Sequence, residues 1–141
     1  MAEKNGVLLE RLKLLHEYKN DLLEFQDVDF QTYLDNKLIR RAVERTLQIA
    51  IEACIDIGQR LIAAEGFRTP ESNRDVFTIL NQEQIVPDDL LPNLLNMSGF
   101  RNLIVHDYAR IDDAAVFGIL KRHLGDFDRF AEVVVGYLEK E

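Results

Sequence analysis

Apolar residues return every three or four positions along most of this chain, with charged residues between them, which is the period of an amphipathic helix. From about Gly6 to Phe25, Leu8, Leu12, Leu15, Leu22 and Phe25 hold that spacing and predict a first helix. A second and longest helix is predicted over about Asp29 to Ala64, closed by Gly66 at a position suited to a left-handed C-terminal cap. Between Leu47 and Ile57 its apolar residues cover more than one side. Either its own neighbours wrap it, or a second subunit covers its outer face. Thr69-Pro70-Glu71 reads as a cap with a first-turn proline, opening a short helix through Val76, Phe77, Ile79 and Leu80. A fourth helix is expected from about Asp88 to His106 or slightly beyond, with Pro92 in its first turn, where a missing donor has no intrahelical partner. Asp112 or Asp113 can cap a last helix that carries Val116, Leu120, Phe127, Phe130, Val134, Tyr137 and Leu138. Five helices with short joints make an all-α, up-and-down bundle, expected as a single domain over residues 1–141.

Composition agrees with that reading. In 141 residues, 47% hydrophobic content supplies one packed core without disulfides or a structural metal. The one cysteine, Cys54, sits in an apolar stretch and reads as a packing thiol, which suits a reducing compartment. No leader pattern opens the chain and charge interrupts every long apolar run, so a cytoplasmic protein without a membrane span is expected. The formal charge of −8 argues against a broad basic coat for nucleic acid, because such binding depends on many lysine and arginine contacts to phosphate. Any contact with RNA is therefore local. Arg40, Arg41, Arg45, Arg101 and Arg110 are the candidates to line a focused positive cleft.

The segment from Phe100 to Tyr108 concentrates the chemistry. At about 100° per residue, Met97, Phe100, Leu103 and Ile104 gather on one side of the fourth helix, while Ser98, Arg101, Asn102 and His106 fall on the other half. Asn102 precedes His106 by one turn and can orient its imidazole, and Arg101 can lean over the same surface. Leu91, Leu95 and Val105 also fall on that half, which suggests that a second copy covers them and brings two sets of Arg101 and His106 together. Cleavage of RNA through its 2′-hydroxyl needs proton transfer and stabilisation of charge on phosphorus, and needs no metal. Histidine fills the first role near neutrality and arginine, always cationic, the second. Tyr108 is open to two readings, a phosphate or base contact and a packing residue with its hydroxyl at the surface. Taken singly, His106 also fits a helix C-terminal histidine and Arg101 a surface ion-pair residue.

The run Arg101-Asn102-Leu103-Ile104-Val105-His106-Asp107-Tyr108 resembles the signature of the HEPN superfamily: arginine, four residues, histidine, one residue, tyrosine, with asparagine after the arginine. Within it the chain is similar to HepT-like toxins of the HepT/MntA type, paired with minimal nucleotidyltransferase antitoxins. The resemblance extends over Arg41 to Ala53, Pro87 to Met97 and the Ile111-Asp112 start of the last helix, which is nearly the whole chain. It implies a homodimer with a ribonuclease cleft between subunits, Arg101 and His106 in catalysis, and Asn102 in support. It also implies that a nucleotidyltransferase inactivates the toxin by adding AMP to Tyr108, opposing RNA binding through bulk and negative charge.

Two classes of function follow. The first is an RNase toxin acting on tRNA or mRNA. The second is a noncatalytic helical subunit that docks to a nucleotidyltransferase and presents nucleotide or substrate. A metal enzyme is weakly supported, since His16, His106 and His123 lie far apart and no His-Glu-x-x-His or paired-cysteine spacing occurs. No cofactor is expected, and His16 and His123 read as helix-surface or interface residues.

Overall fold

Side-chain caps at Asp29, Asn36, Ser72 and Asp112 set where four of the helices begin. The computed structural model describes residues 2–140, with side-chain environments from residue 6 onward. It contains α1 (Ala2–Leu23), α2 (Phe30–Asp35), α3 (Lys37–Glu65), α4 (Asn73–Gln82), α5 (Leu91–His106), a 3₁₀ turn (Tyr108–Arg110), α6 (Asp113–Arg122) and α7 (Gly125–Lys140). The all-α bundle stands, but it has seven α-helices among the described residues rather than five.

Both extra breaks have local causes. The long helix expected from Asp29 divides at Asn36, whose side chain accepts from the Ile39 amide at 3.0 Å while its own amide bonds to the Thr32 carbonyl. Asn36 thus ends one helix and caps the next. The turn lets α2 lay Phe30 and Tyr33 against Phe117 of α6, with ring centroids 5.0 and 5.6 Å apart. The expected last helix divides at His123 and Leu124, where His123 Nδ1 meets the Asp126 carboxylate at 3.1 Å. Lys121 and Arg122 close α6, while Asp126 and Asp128 open α7, each charge matched to its helix terminus. Asp112, not Asp113, caps α6.

Two further boundaries shift. Ser72, not Thr69, caps α4, accepting from the Asp75 amide at 3.0 Å. Arg68 grips the Asp75 carboxylate at 2.7 and 2.8 Å, so Thr69 and Pro70 lie in the connection before the helix. α5 begins at Leu91 rather than Asp88, with Pro92 in its first turn as expected. Gly66 ends α3 with φ +70°, the left-handed cap read from sequence.

α3 is the central helix. Its buried residues include Leu47, Ala50, Ile51, Cys54, Ile55, Ile57 and Leu61. They join one core with Leu8, Leu12 and Leu15 of α1, Val76 and Phe77 of α4, and Phe127 and Phe130 of α7. Its broad apolar surface is therefore mostly taken up within the chain. Cys54 lies in this core, and burial pushes its thiol well above the usual range. Among the described residues no helix is long and apolar enough to cross a membrane.

Gly58 marks the closest approach of α3 and α4. A Cβ there would lie 2.5 Å from Cγ1 of Val76 and 3.2 Å from Leu80. Alanine favours a helix interior over glycine by about 1 kcal/mol, but forcing a methyl against a stiff β-branched side chain costs about 1–3 kcal/mol. Gly58→Ala is expected to lower unfolding free energy by about 1 kcal/mol in chemical denaturation. Unchanged or greater stability would contradict this packing.

Candidate active site

α5 runs past α3 in the opposite direction, and a polar stripe on α3 receives both ends of the motif. Glu44, Gln48 and Glu52 recur at four-residue spacing, so they align on one face. Arg101 donates from Nε to Glu52 Oε2 at 3.0 Å, and Gln48 donates to the same oxygen at 3.3 Å. Eight residues earlier, about 12 Å along the helix axis, Glu44 accepts a short hydrogen bond from the Tyr108 hydroxyl. The Arg41 guanidinium stands over the Tyr108 ring, 5.7 Å from its centroid.

The end of α5 makes the second contact possible. The Asp107 amide bonds to the Leu103 carbonyl at 2.9 Å, and the chain then tightens into the 3₁₀ turn, with Arg110 and Ile111 amides bonded to Asp107 and Tyr108 carbonyls. This turn swings Tyr108 back toward α3. Glu44 is only 4% exposed, whereas Tyr108 keeps 45% of its surface. Glu44, as hydrogen-bond acceptor, holds the Tyr108 phenol above its ordinary range; burial and Glu44's charge act the same way and Arg41 opposes them. Tyr33 lies fully buried, its phenol pushed up by burial first and by Glu44 next.

The expected site residues do not all meet as anticipated. Among the described residues Asn102 makes no hydrogen bond to the imidazole; its Oδ1 accepts from Arg101 Nη1 at 3.3 Å. Glu52 and Asn102 thus fix the guanidinium through two of its five N–H groups. His106 is exposed at the last residue of α5, as the helix wheel anticipates. Ser98, expected on the polar half, is instead fully buried with its hydroxyl unpaired. Leu91 and Leu95 are half-buried against their own core, which leaves Val105, 41% exposed, as the apolar residue of that group still facing solvent.

The other arginines divide. Arg40 donates to the Leu34 carbonyl, tying α3 to α2. Arg41 and Arg45 are exposed on α3, and Arg110 is exposed with its guanidinium 3.2 Å from Asp107. A groove of about 360 Å³ opens beside Arg101, bordered by Glu52, Ile55, Asp56, Gln59 and Asn73. The larger cavity, about 490 Å³ between α5 and α6, lies on the opposite side of α5 against Met97, Phe100 and Leu103. Among the described residues no histidine, cysteine or carboxylate cluster is arranged to hold a metal ion.

Glu44 and Glu52 are the residues sequence reasoning missed. A signal exists, since Glu44, Gln48 and Glu52 form a polar i, i+4, i+8 line that runs into the apolar-rich middle of the helix. Their partners lie 64 and 49 residues away.

Comparison with known proteins shows the family and matches the fold. The family described as Ribonuclease HepT-like matches residues 8–134. The mRNA nuclease HepT of Shewanella oneidensis is 36% identical over 132 residues, covering 92% of this chain and 97% of that protein. The tRNA nuclease HepT of Aphanizomenon flos-aquae is 29% identical over 139 residues, covering 98% and 95%. In solved structures, a toxin-antitoxin crystal structure with AMP-PNP superposes with a TM-score of 0.86 at 27% identity, covering 93% of this chain and 98% of that one. The tri-AMPylated Shewanella oneidensis HEPN toxin in complex with its MNT antitoxin gives 0.85 at 28% identity, covering 92% and 97%. The chain belongs to the HepT-like ribonuclease family of HEPN toxins.

The Tyr108 contact carries a pH signature. A phenol raised by folding contributes stability that is fully present below its ordinary value of 10.0 and is lost as pH climbs through the raised value. Ultraviolet titration of the folded protein is expected to show the Tyr33 and Tyr108 phenols titrating late, with Tyr108→Phe removing one late phenol. If Tyr108→Phe instead removes a phenol that titrates at the ordinary value, the Glu44 contact is wrong.

Proposed function

We propose that this chain is an RNA endonuclease toxin that cuts without a metal ion, using Arg101 and His106 at a cleft shared by two copies. The observation that carries the reading is the guanidinium of Arg101, fixed by Glu52 and Asn102 with three N–H donors left for a phosphate, on the same helix end as an exposed His106. In the proposed reaction the 2′-oxygen attacks the adjacent phosphorus, its proton passing to the imidazole, and the 5′-oxygen leaves. Arg101 meets the charge that builds on the phosphoryl oxygens. Asn102 supports it by holding the guanidinium rather than the imidazole. Arg41, Arg45 and Arg110 flank the site as backbone contacts, with Arg40 behind them.

A second copy would cover exposed apolar residues such as Val105 at 41%, which neighbours His106 on α5. Pairing there doubles the local arginine count in a chain of net charge −8. The two HepT relatives are named for mRNA and tRNA, so the substrate proposed is one of these RNAs. A nucleotidyltransferase partner that adds AMP to Tyr108 fits the toxin-antitoxin complexes this fold superposes on. Phosphodiester charge beside Arg41 and Arg101 would compete with the RNA backbone.

Purified protein incubated with total RNA in a metal chelator is expected to cleave it, and His106→Ala or Arg101→Ala to slow cleavage by at least about 100-fold. Intact RNA with the wild type would favour a noncatalytic docking subunit, and full activity in His106→Ala would remove the imidazole from the mechanism. On coexpression with a cognate nucleotidyltransferase, intact mass is expected to rise by one or more AMP units, and Tyr108→Phe to abolish the increase. An adduct that persists in Tyr108→Phe would place the modification elsewhere.

A further inference from the structure

Glu44 lies outside the cleavage step proposed above, yet it is a nearly buried carboxylate whose described hydrogen-bond partner is the motif tyrosine. A buried carboxylate is costly unless a donor satisfies it, so the Tyr108 hydroxyl and Glu44 hold one another. That contact seats the phenol against α3. The ring remains 45% exposed, with the Arg41 guanidinium standing over it.

We propose that Glu44 is a positioning residue that makes Tyr108 a two-position switch, seated on α3 when unmodified and expelled from that seat into solvent beside Arg41 once it carries AMP. The idea rests on the reading of Tyr108 as the modified residue. In that transfer the phenolic oxygen bonds to the α-phosphorus of a nucleoside triphosphate, the bond from that phosphorus to the β-phosphate oxygen breaks, pyrophosphate leaves, and the phenolic proton is released to water. The product oxygen is an ester with no hydrogen to donate. It also brings a phosphodiester anion to the carboxylate. Loss of the donor and like-charge repulsion both empty the seat. Arg41, already over the ring, is the cation placed to meet the phosphate as it leaves.

The same contact restrains the reaction in the forward direction, because the hydroxyl must leave its buried acceptor before its oxygen can reach phosphorus. Glu44→Gln keeps the shape, removes the charge and weakens the acceptor. It is expected to speed AMP addition by about tenfold, a gain that a merely structural role would not produce.

The test combines intact-mass kinetics of AMP addition by the cognate nucleotidyltransferase with fluorine NMR of fluorotyrosine-labelled protein. Tyr108→Phe assigns the Tyr108 resonance. In unmodified Glu44→Gln that resonance is expected to move toward its position in the AMP-modified wild type, while Tyr18 and Tyr137, remote from Glu44, stay in place and report an intact fold. An adduct on Tyr108 whose rate is unchanged or slower in Glu44→Gln, with an unmoved resonance, overturns the seat alone. An adduct missing from the wild type, or retained in Tyr108→Phe, overturns the modification reading and this proposal with it.

Discussion

The stripe Glu44–Gln48–Glu52 is the constraint on which the site depends. Glu44, nearly buried on the central helix, needs a donor to offset its lost hydration, and the partly exposed Glu52 is met by the Arg101 guanidinium. The donors, Arg101 and Tyr108, lie seven residues apart on α5 and its following turn, against carboxylates eight residues apart on α3. Such pairs add little net stability compared with apolar substitutes of the same shape. Their effect is positional: each contact ties a different end of the Arg101–Tyr108 segment to α3.

The rest of the bundle serves that alignment. α1, α4 and α7 enclose the apolar sides of α3, so α5 has one remaining face on which to lie. The close packing at Gly58 sets the depth of α4, and the 3₁₀ turn ends α5 early enough for Tyr108 to return to α3. His106 is left at the exposed helix end. A site of this kind is built on rigid helices, with the mobile chemistry limited to side chains.

Much of this was legible in the sequence, for physical reasons. Arg101, Asn102, His106 and Tyr108 are close in the chain, so helical spacing alone placed His106 outward and Phe100 inward. Gly66 and Pro92 have positional meanings that survive any tertiary context. The breaks at Asn36 and His123 were hidden because apolar periodicity continues through both, and only the competing side-chain bonds of Asn36 and Asp126 stop the helix. The bond from Arg101 to Asn102 was not legible, because sequence spacing shows which residues share a face, not which partner a flexible arginine reaches. Ser98 went to the wrong side because a small hydroxyl carries a weak directional signal; its neighbours, Met97 among them, pack into the core and take it with them. Glu44 and Glu52 were missed because their partners are distant in sequence, and no local pattern says what a carboxylate on an apolar helix will meet.

The central claim is that RNA is held and cut where Arg101 and His106 meet it. A crystal structure of the protein with an RNA blocked at the reactive 2′-oxygen tests this most directly. The scissile phosphate is expected within hydrogen-bond distance of the Arg101 guanidinium and the blocked 2′-oxygen beside the His106 imidazole, in a groove to which a second copy contributes. RNA seated instead in the cavity between α5 and α6, or anywhere that leaves both side chains without a nucleotide contact, would contradict it.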